Sequence, residues 1–270
     1  MPIGPLHLLL LLAAAFAAGA INSVAGGGTL LTFPALLAVL GPNPAGPILA
    51  NGTSTVALVP GSLSAFWGFR GELGGGPRRG LWEMAAPSLL GGALGAYLAT
   101  HINAAVFGRL VPWLIFGATF LFLIQDSVRR WVGRKEAPPA PNPGGARPLG
   151  PGGMLFQLFV AVYGGFFGAG IGILMLAALG FLGQTNIHRM NGLKNFAAVC
   201  INGVGALTFI VYRRVDWELA GLMAVAAVAG GWGGAGLARR VGQANVRRLV
   251  VAIGLLFGAY TLYGQIRHAH

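Results

Sequence analysis

The sequence predicts an all-α polytopic membrane protein built from two inverted-topology repeats, each with a short broken or re-entrant helix plus about three further spans. Hydrophobic residues form 55% of the chain and charged residues 9%, and the mean hydropathy is +0.71, so lipid must be part of the solvent. The apolar runs are long and continuous, which suits helices and not the short alternating strands of a barrel. Glycine clusters and polar pairs then recur in the same order in the two halves.

The apolar segments fall at 5–22, 29–41, 46–68, 82–100, 105–125, 153–168, 171–183, 188–212, 217–238 and 246–265. The first lacks the basic region of a secretion signal and runs straight into a glycine-rich segment that has a later counterpart, so it reads as a retained helix. The segments 29–41 and 171–183 fall short of the roughly 20 residues a full span needs. Each follows a glycine cluster, Gly26-Gly27-Gly28 or Gly168-Ala169-Gly170, and short interrupted segments at matching places in two halves point to a transport site. Segments 82–100 and 217–238 carry Gly and Ala at helical spacing, which lets helices approach closely. Residues 126–152, with Arg129, Arg130, Arg134, Lys135, Arg147 and a run of Pro and Gly, read as a cytoplasmic linker between a first repeat at 1–125 and a second at 153–270.

The repeat aligns Gly41 with Gly183, Asn51-Gly52 with Asn191-Gly192, the run from Gly91 with the run from Gly230, and Arg109-Leu110-Val111 with Arg248-Leu249-Val250, at an offset near 140 residues. Charge sets the orientation. The net charge of +12 comes from Arg gathered in short loops, the positive-inside pattern, without the aromatic-interleaved basic stripe of a nucleic-acid binder. Loop 69–81 carries Arg70, Arg78 and Arg79, and loop 239–248 carries Arg239, Arg240, Arg247 and Arg248 without an acid. Both are cytoplasmic only if the halves are inverted, and both termini then lie on the non-cytoplasmic side.

Polar residues inside a membrane bundle are functional candidates. The six acids, Glu72, Glu83, Asp126, Glu136, Asp216 and Glu218, all sit in loops or near helix ends. Without a mid-span carboxylate, a cation pathway and carboxylate-based catalysis both lose support. The first candidate group is Asn22, Ser23, Gly26, Gly27, Gly28, Thr29 and Thr32, a break whose backbone a ligand can approach and whose following helix N-terminus favours an anion. Gly168, Gly170 and Gly172 match it in the second half. Asn51, Gly52, Thr53, Ser54 and Thr55 form the next group, with Asn191, Gly192, Lys194 and Asn195 as partners; helix capping is the competing reading of such clusters. Lys194 is one of two lysines and either snorkels to the interface or supplies the positive charge that holds an anion. The lone Cys200 reads as a small buried residue, and neither a metal-ligand spacing nor a phosphate-binding loop is present in the sequence.

The stretch Ala20-Ile21-Asn22-Ser23-Val24-Ala25-Gly26-Gly27-Gly28-Thr29-Leu30-Leu31-Thr32-Phe33-Pro34-Ala35-Leu36, followed by Gly41 and Ala50-Asn51-Gly52-Thr53-Ser54, resembles the first repeat of the TauE/SafE sulfite exporter family. Gly164-Gly165-Phe166-Phe167-Gly168-Ala169-Gly170-Ile171-Gly172 and Asn191-Gly192-Leu193-Lys194-Asn195 are similar to that family's second signature. The resemblance covers nearly the whole chain. It implies a bacterial inner-membrane exporter of small sulfur anions such as sulfite or sulfonates, with the two glycine-rich repeats facing each other at the site. The family's signature falls on Gly26, Gly27, Gly28, Asn51, Thr53, Ser54, Gly168, Gly170, Asn191, Lys194 and Asn195. The expected partners are a small anion and the bilayer, with homo-oligomerisation open and no cofactor, no metal and no nucleic acid. The expected activity is alternating-access transport and not catalysis. An anion channel with the same site, a membrane-embedded enzyme and a subunit of a larger complex are the competing readings.

Overall fold

The computed structural model describes residues 4–24, 27–41, 43–73, 78–133, 150–181, 187–241 and 243–268, and among these the chain is helical apart from short turns. The helices are α1 (Pro5–Val24), α2 (Thr29–Leu40), α3 (Gly46–Phe69), α4 (Arg78–His101), α5 (Ala104–Gly133), α6 (Gly150–Phe166), α7 (Ile171–Phe181), α8 (Ile187–Val211), α9 (Trp217–Val241) and α10 (Gln243–His268). Each apolar segment of the sequence becomes one helix. The clearest difference lies at the linker: α5 runs on to Gly133 and α6 starts at Gly150, so the ends of the 126–152 segment are helical and 134–149 lie outside the described residues.

Local sequence explains the short elements. α2 ends where Gly41, at φ +66°, returns its amide to the Leu37 carbonyl, a left-handed cap that a side chain would strain. With 12 residues it spans about 18 Å, against a hydrocarbon core of about 30 Å. α7, with 11 residues, is as short. By contrast Pro5–Asn22, Ala104–Val128, Arg189–Val211 and Arg248–Arg267 are long and apolar enough to cross a bilayer. Large apolar side chains such as Leu90, Trp113, Phe120, Phe159, Val225 and Leu256 point outward, as a lipid-facing surface requires. Trp67 and Trp82 are exposed near the ends of α3 and α4 on the basic side, with the Arg70 guanidinium 4.3 Å from the Trp67 ring, the arrangement of an interfacial anchor.

The helices pair in a reciprocal pattern. α1 packs on α9 and α6 packs on α4; α4 also meets α8 as α3 meets α9; α5 meets α7 as α10 meets α2. Counterpart helices meet each other too, and they run antiparallel. Along α5 and α10, Gly108 faces Gln265, Phe116 faces Gly258 and Thr119 faces Gly254. Along α3 and α8, Gly52 faces Phe209, Thr55 faces Gly205 and Ser62 faces Asn202.

Glycine makes the tightest of these contacts. A Cβ on Gly19 would overlap the Ala227 carbonyl and one on Gly230 the Phe16 carbonyl. In the second pair, Gly95 lies on the Val162 carbonyl and Gly165 on the Gly92 carbonyl. Lipid supplies no hydrophobic drive for helix association, so backbone-to-backbone packing takes its place. Gly95→Ala is expected to destabilise the bundle by about 1–3 kcal/mol. Gly117→Ala, at an exposed position with open space beyond it, leaves stability unchanged or raises it slightly. Thermal unfolding of the detergent-purified protein distinguishes the two; equal melting would show that the close approach is not needed.

Candidate functional site

The two helix breaks lie side by side. In the first, Gly27 adopts φ +151° and donates its amide to Asn22 Oδ1 at 3.2 Å, so a side chain replaces the carbonyl that a continuous helix would offer. The Gly28 carbonyl then accepts from the Leu31 and Thr32 amides at 2.9 and 3.1 Å, starting α2. In the second, Gly168 and Gly170 stand at φ +80° and +78°, a left-handed conformation that disfavours any residue with a Cβ. Tyr163 donates its hydroxyl to the Ala169 carbonyl at 2.8 Å, and Asn51 donates its side-chain amide to the Phe166 carbonyl at 2.8 Å. The breaks touch: a Cβ on Gly27 would stand 3.5 Å from the Gly170 amide nitrogen, and Phe33 meets Phe167 edge-on at 5.2 Å.

Beside them is a small cavity of about 30 Å³, roomy enough for ordered water. Asn22, Gly27 and Thr29 line it from the first break and Gly168, Ile171 and Gly172 from the second. One stripe of α3 closes it with Thr55, Leu58, Ser62 and Ala65, and the matching stripe of α8 with Lys194, Asn195, Ala198 and Asn202. Lys194 is only 2% exposed, so it is a core residue and not a snorkelling one. Asn195 is 4% exposed and its side-chain amide nitrogen has no hydrogen-bond partner. Asn22 and Asn202 both donate to Ser62 Oγ, at 3.4 and 2.9 Å.

Of the residues singled out from sequence, Asn22, Gly27, Thr29, Thr55, Gly168, Gly172, Lys194 and Asn195 come together on this cavity. Others stand behind it. Asn51 ties α3 to the end of α6, Thr53 Oγ1 accepts the Asp216 amide at 3.0 Å just before α9, and Ser54 Oγ meets Thr32 Oγ1 at 2.6 Å. Gly28 is packed on Ala18 and Gly170 lies near Leu121, while Asn191 is half-buried outside the cavity wall. Gly26 lies outside the described residues, as does the side chain of Ser23. Sequence reasoning missed Ser62 and Asn202. A signal for them exists: each is a polar residue inside an apolar run, and their separation equals the repeat offset.

The family model described as "Sulfite exporter TauE/SafE" matches residues 11–261. Over 272 residues the chain is 29% identical to a probable membrane transporter protein of Haemophilus influenzae, with 98% of each chain covered. It is likewise 29% identical to the probable membrane transporter protein YfcA of Escherichia coli K12, covering 97% of this chain and 91% of that one. A Sinorhizobium probable membrane transporter protein, ORF9, is 28% identical over 92% of this chain and 90% of its own. No solved structure matches the chain.

The hydrogen-bond inventory separates two asparagines. Asn195→Leu removes a donor that lacks a partner and should leave thermal stability unchanged or higher. Asn51→Leu strips the Phe166 carbonyl of its donor and should lower stability by about 1–3 kcal/mol. Unfolding curves of the two purified variants check the contrast, which fails if Asn195→Leu is the more damaging.

Proposed function

Because the chain belongs to the TauE/SafE sulfite exporter family, we propose that this multi-pass membrane transporter exports small sulfur-containing anions, sulfite or organosulfonates, across the bacterial inner membrane by alternating access. The observation that carries this reading is the cavity between the two breaks. It is lined by Lys194, by amide and hydroxyl groups and by glycine backbone, and by no carboxylate among the described residues. Such a lining favours an anion and rejects a cation or a proton relay.

Geometry favours a carrier over a channel. Lys194 and Asn195 on the cavity wall are 2% and 4% exposed, so the helices must part before a hydrated anion reaches them. An inverted repeat gives a way to do so, with one half rocking against the other and exposing the site to each side in turn. Antiparallel contact between counterpart helices, α3 with α8 and α5 with α10, supports that inversion, because repeats related about the membrane normal would place counterparts parallel. In this arrangement α3, α5 and α9 all end on one face, where Arg70 and Arg130 are exposed. That face is cytoplasmic by the positive-inside rule, and both termini are on the other side. A membrane potential negative inside then drives anion efflux without a coupled ion.

Proteoliposomes containing only this protein should show saturable sulfite flux under a set potential. Lys194→Ala should raise the half-saturating concentration roughly tenfold to a hundredfold, the loss of one charge-assisted bond, while the protein stays folded. Flux linear in concentration would favour the channel, and no flux from folded protein would favour a subunit that acts only in a complex.

A further inference from the structure

A second recess, of about 1220 Å³, lies away from the small cavity, between α2, α5 and α10. Pockets for compact ligands measure about 300–1000 Å³, so this one suits a larger occupant. α10 borders it from Phe257 to Ile266. That is roughly 14 Å of helix, close to half of a hydrocarbon core about 30 Å thick.

The two ends of the recess differ. Leu37, Val111 and Phe257 line its deeper part. Asn43, Arg109 and Gln265 line the other end, where Gln265 donates to the Gly108 carbonyl at 2.8 Å and joins α10 to α5. Arg109 stands in the second turn of α5 and is exposed, and no carboxylate lines the recess among the described residues. Arg267, next to the lining residue Ile266, adds a second exposed cation at this end, where the apolar span of α10 stops. Tyr260 and Tyr263, 73% and 65% exposed, flank the same stretch, as aromatic residues do at headgroup level. Both cations lie at the end of the bundle opposite Arg70 and Arg130, so the asymmetry of basic loops does not account for them.

We propose that this recess holds a phospholipid with an anionic headgroup, its phosphate on Arg109 and an acyl chain along Leu37, Val111 and Phe257. A guanidinium on a long apolar stem, set just inside a span, extends toward phosphate level and grips phosphate oxygens with paired N–H bonds. An acyl chain in the surrounding bilayer already sits in hydrocarbon, so the recess gives it no hydrophobic gain. Selection therefore falls to the headgroup. Two cations and no acid favour a net negative headgroup such as phosphatidylglycerol, whereas the ammonium of phosphatidylcholine meets like charge. A small hydrated anion gains nothing from the apolar depth. The chain also packs against the far end of α2, the short helix whose first residue, Thr29, lines the small cavity. The site does not depend on which anion the protein carries.

Native mass spectrometry tests the assignment on the full chain, purified in detergent and mixed with phosphatidylglycerol or phosphatidylcholine of the same acyl chains. Phosphatidylglycerol should be retained at least about fivefold more, and Arg109→Ala should cut that preference about fivefold, the effect of one basic residue at a headgroup. Gly264 lines the recess with open space beyond it, so Gly264→Trp fills the recess and should remove one bound lipid. Gly117→Trp, exposed on α5 with open space beyond it, should keep that lipid. Size-exclusion profiles establish that the three variants are folded. Equal retention of the two lipids, or a preference untouched by Arg109→Ala, overturns the headgroup assignment. A Gly264→Trp variant that holds as many lipids as the wild type overturns the site. A wild-type dimer that only Gly264→Trp splits also overturns it, and gives the recess to a second copy of the chain.

Discussion

A peptide group inside hydrocarbon has no water to bond, and leaving one unpaired costs several kcal/mol. A helix that stops partway through the membrane must therefore have its loose ends satisfied by other parts of the protein. Asn22 does this at the first break by accepting the Gly27 amide, and Tyr163 and Asn51 do it at the second by donating to the Ala169 and Phe166 carbonyls. The arrangement of α1, α3, α6 and the two short helices follows from this requirement. It also draws polar side chains to the place where a polar solute would need them.

The same requirement explains which helices are apolar. α1, α5, α8 and α10 contain stretches apolar and long enough to span, whereas α3 is not among them. α3 is walled in by α1, α2, α8 and α9, and it buries Asn51, Thr53, Ser54 and Ser62. A helix shielded by protein can carry polar groups as long as each finds a partner. Glycine contacts between α1 and α9 and between α4 and α6 draw the two halves tightly together around it. Packing and chemistry thus share one origin, since close backbone approach narrows the cavity to about 30 Å³ and keeps Lys194 and Asn195 out of contact with the surrounding solvent.

Closure of this kind bears on transport. A narrow site walled by protein strengthens the interaction between a buried cation and an anion, and it raises the cost of stripping water from that anion. Donors already gathered on the cavity wall, such as the Asn22 and Asn202 amides, lower the reorganisation that binding demands. The antiparallel contact of α3 with α8 places these donors near the line where the two halves meet. Movement of one half against the other would change their spacing directly.

The membrane class, the ten α-helices among the described residues, the paired breaks and the asymmetry of basic loops were all legible in the chain, because each depends on composition or on local backbone chemistry. Lipid excludes charge along a span, glycine interrupts a helix, and neither effect needs a partner from elsewhere. The membership of the cavity wall was only partly legible. Asn51, Thr53, Ser54 and Thr55 look alike as a polar cluster, yet Thr55 faces the cavity while the other three brace α6, α9 and α2. Ser62 and Asn202 look like isolated polar residues, yet they meet at the centre of the site. A helix turns about 100° per residue, so neighbours in sequence point to different partners. The stripe that faces inward is fixed by which helices pack around it, and only the tertiary structure supplied that.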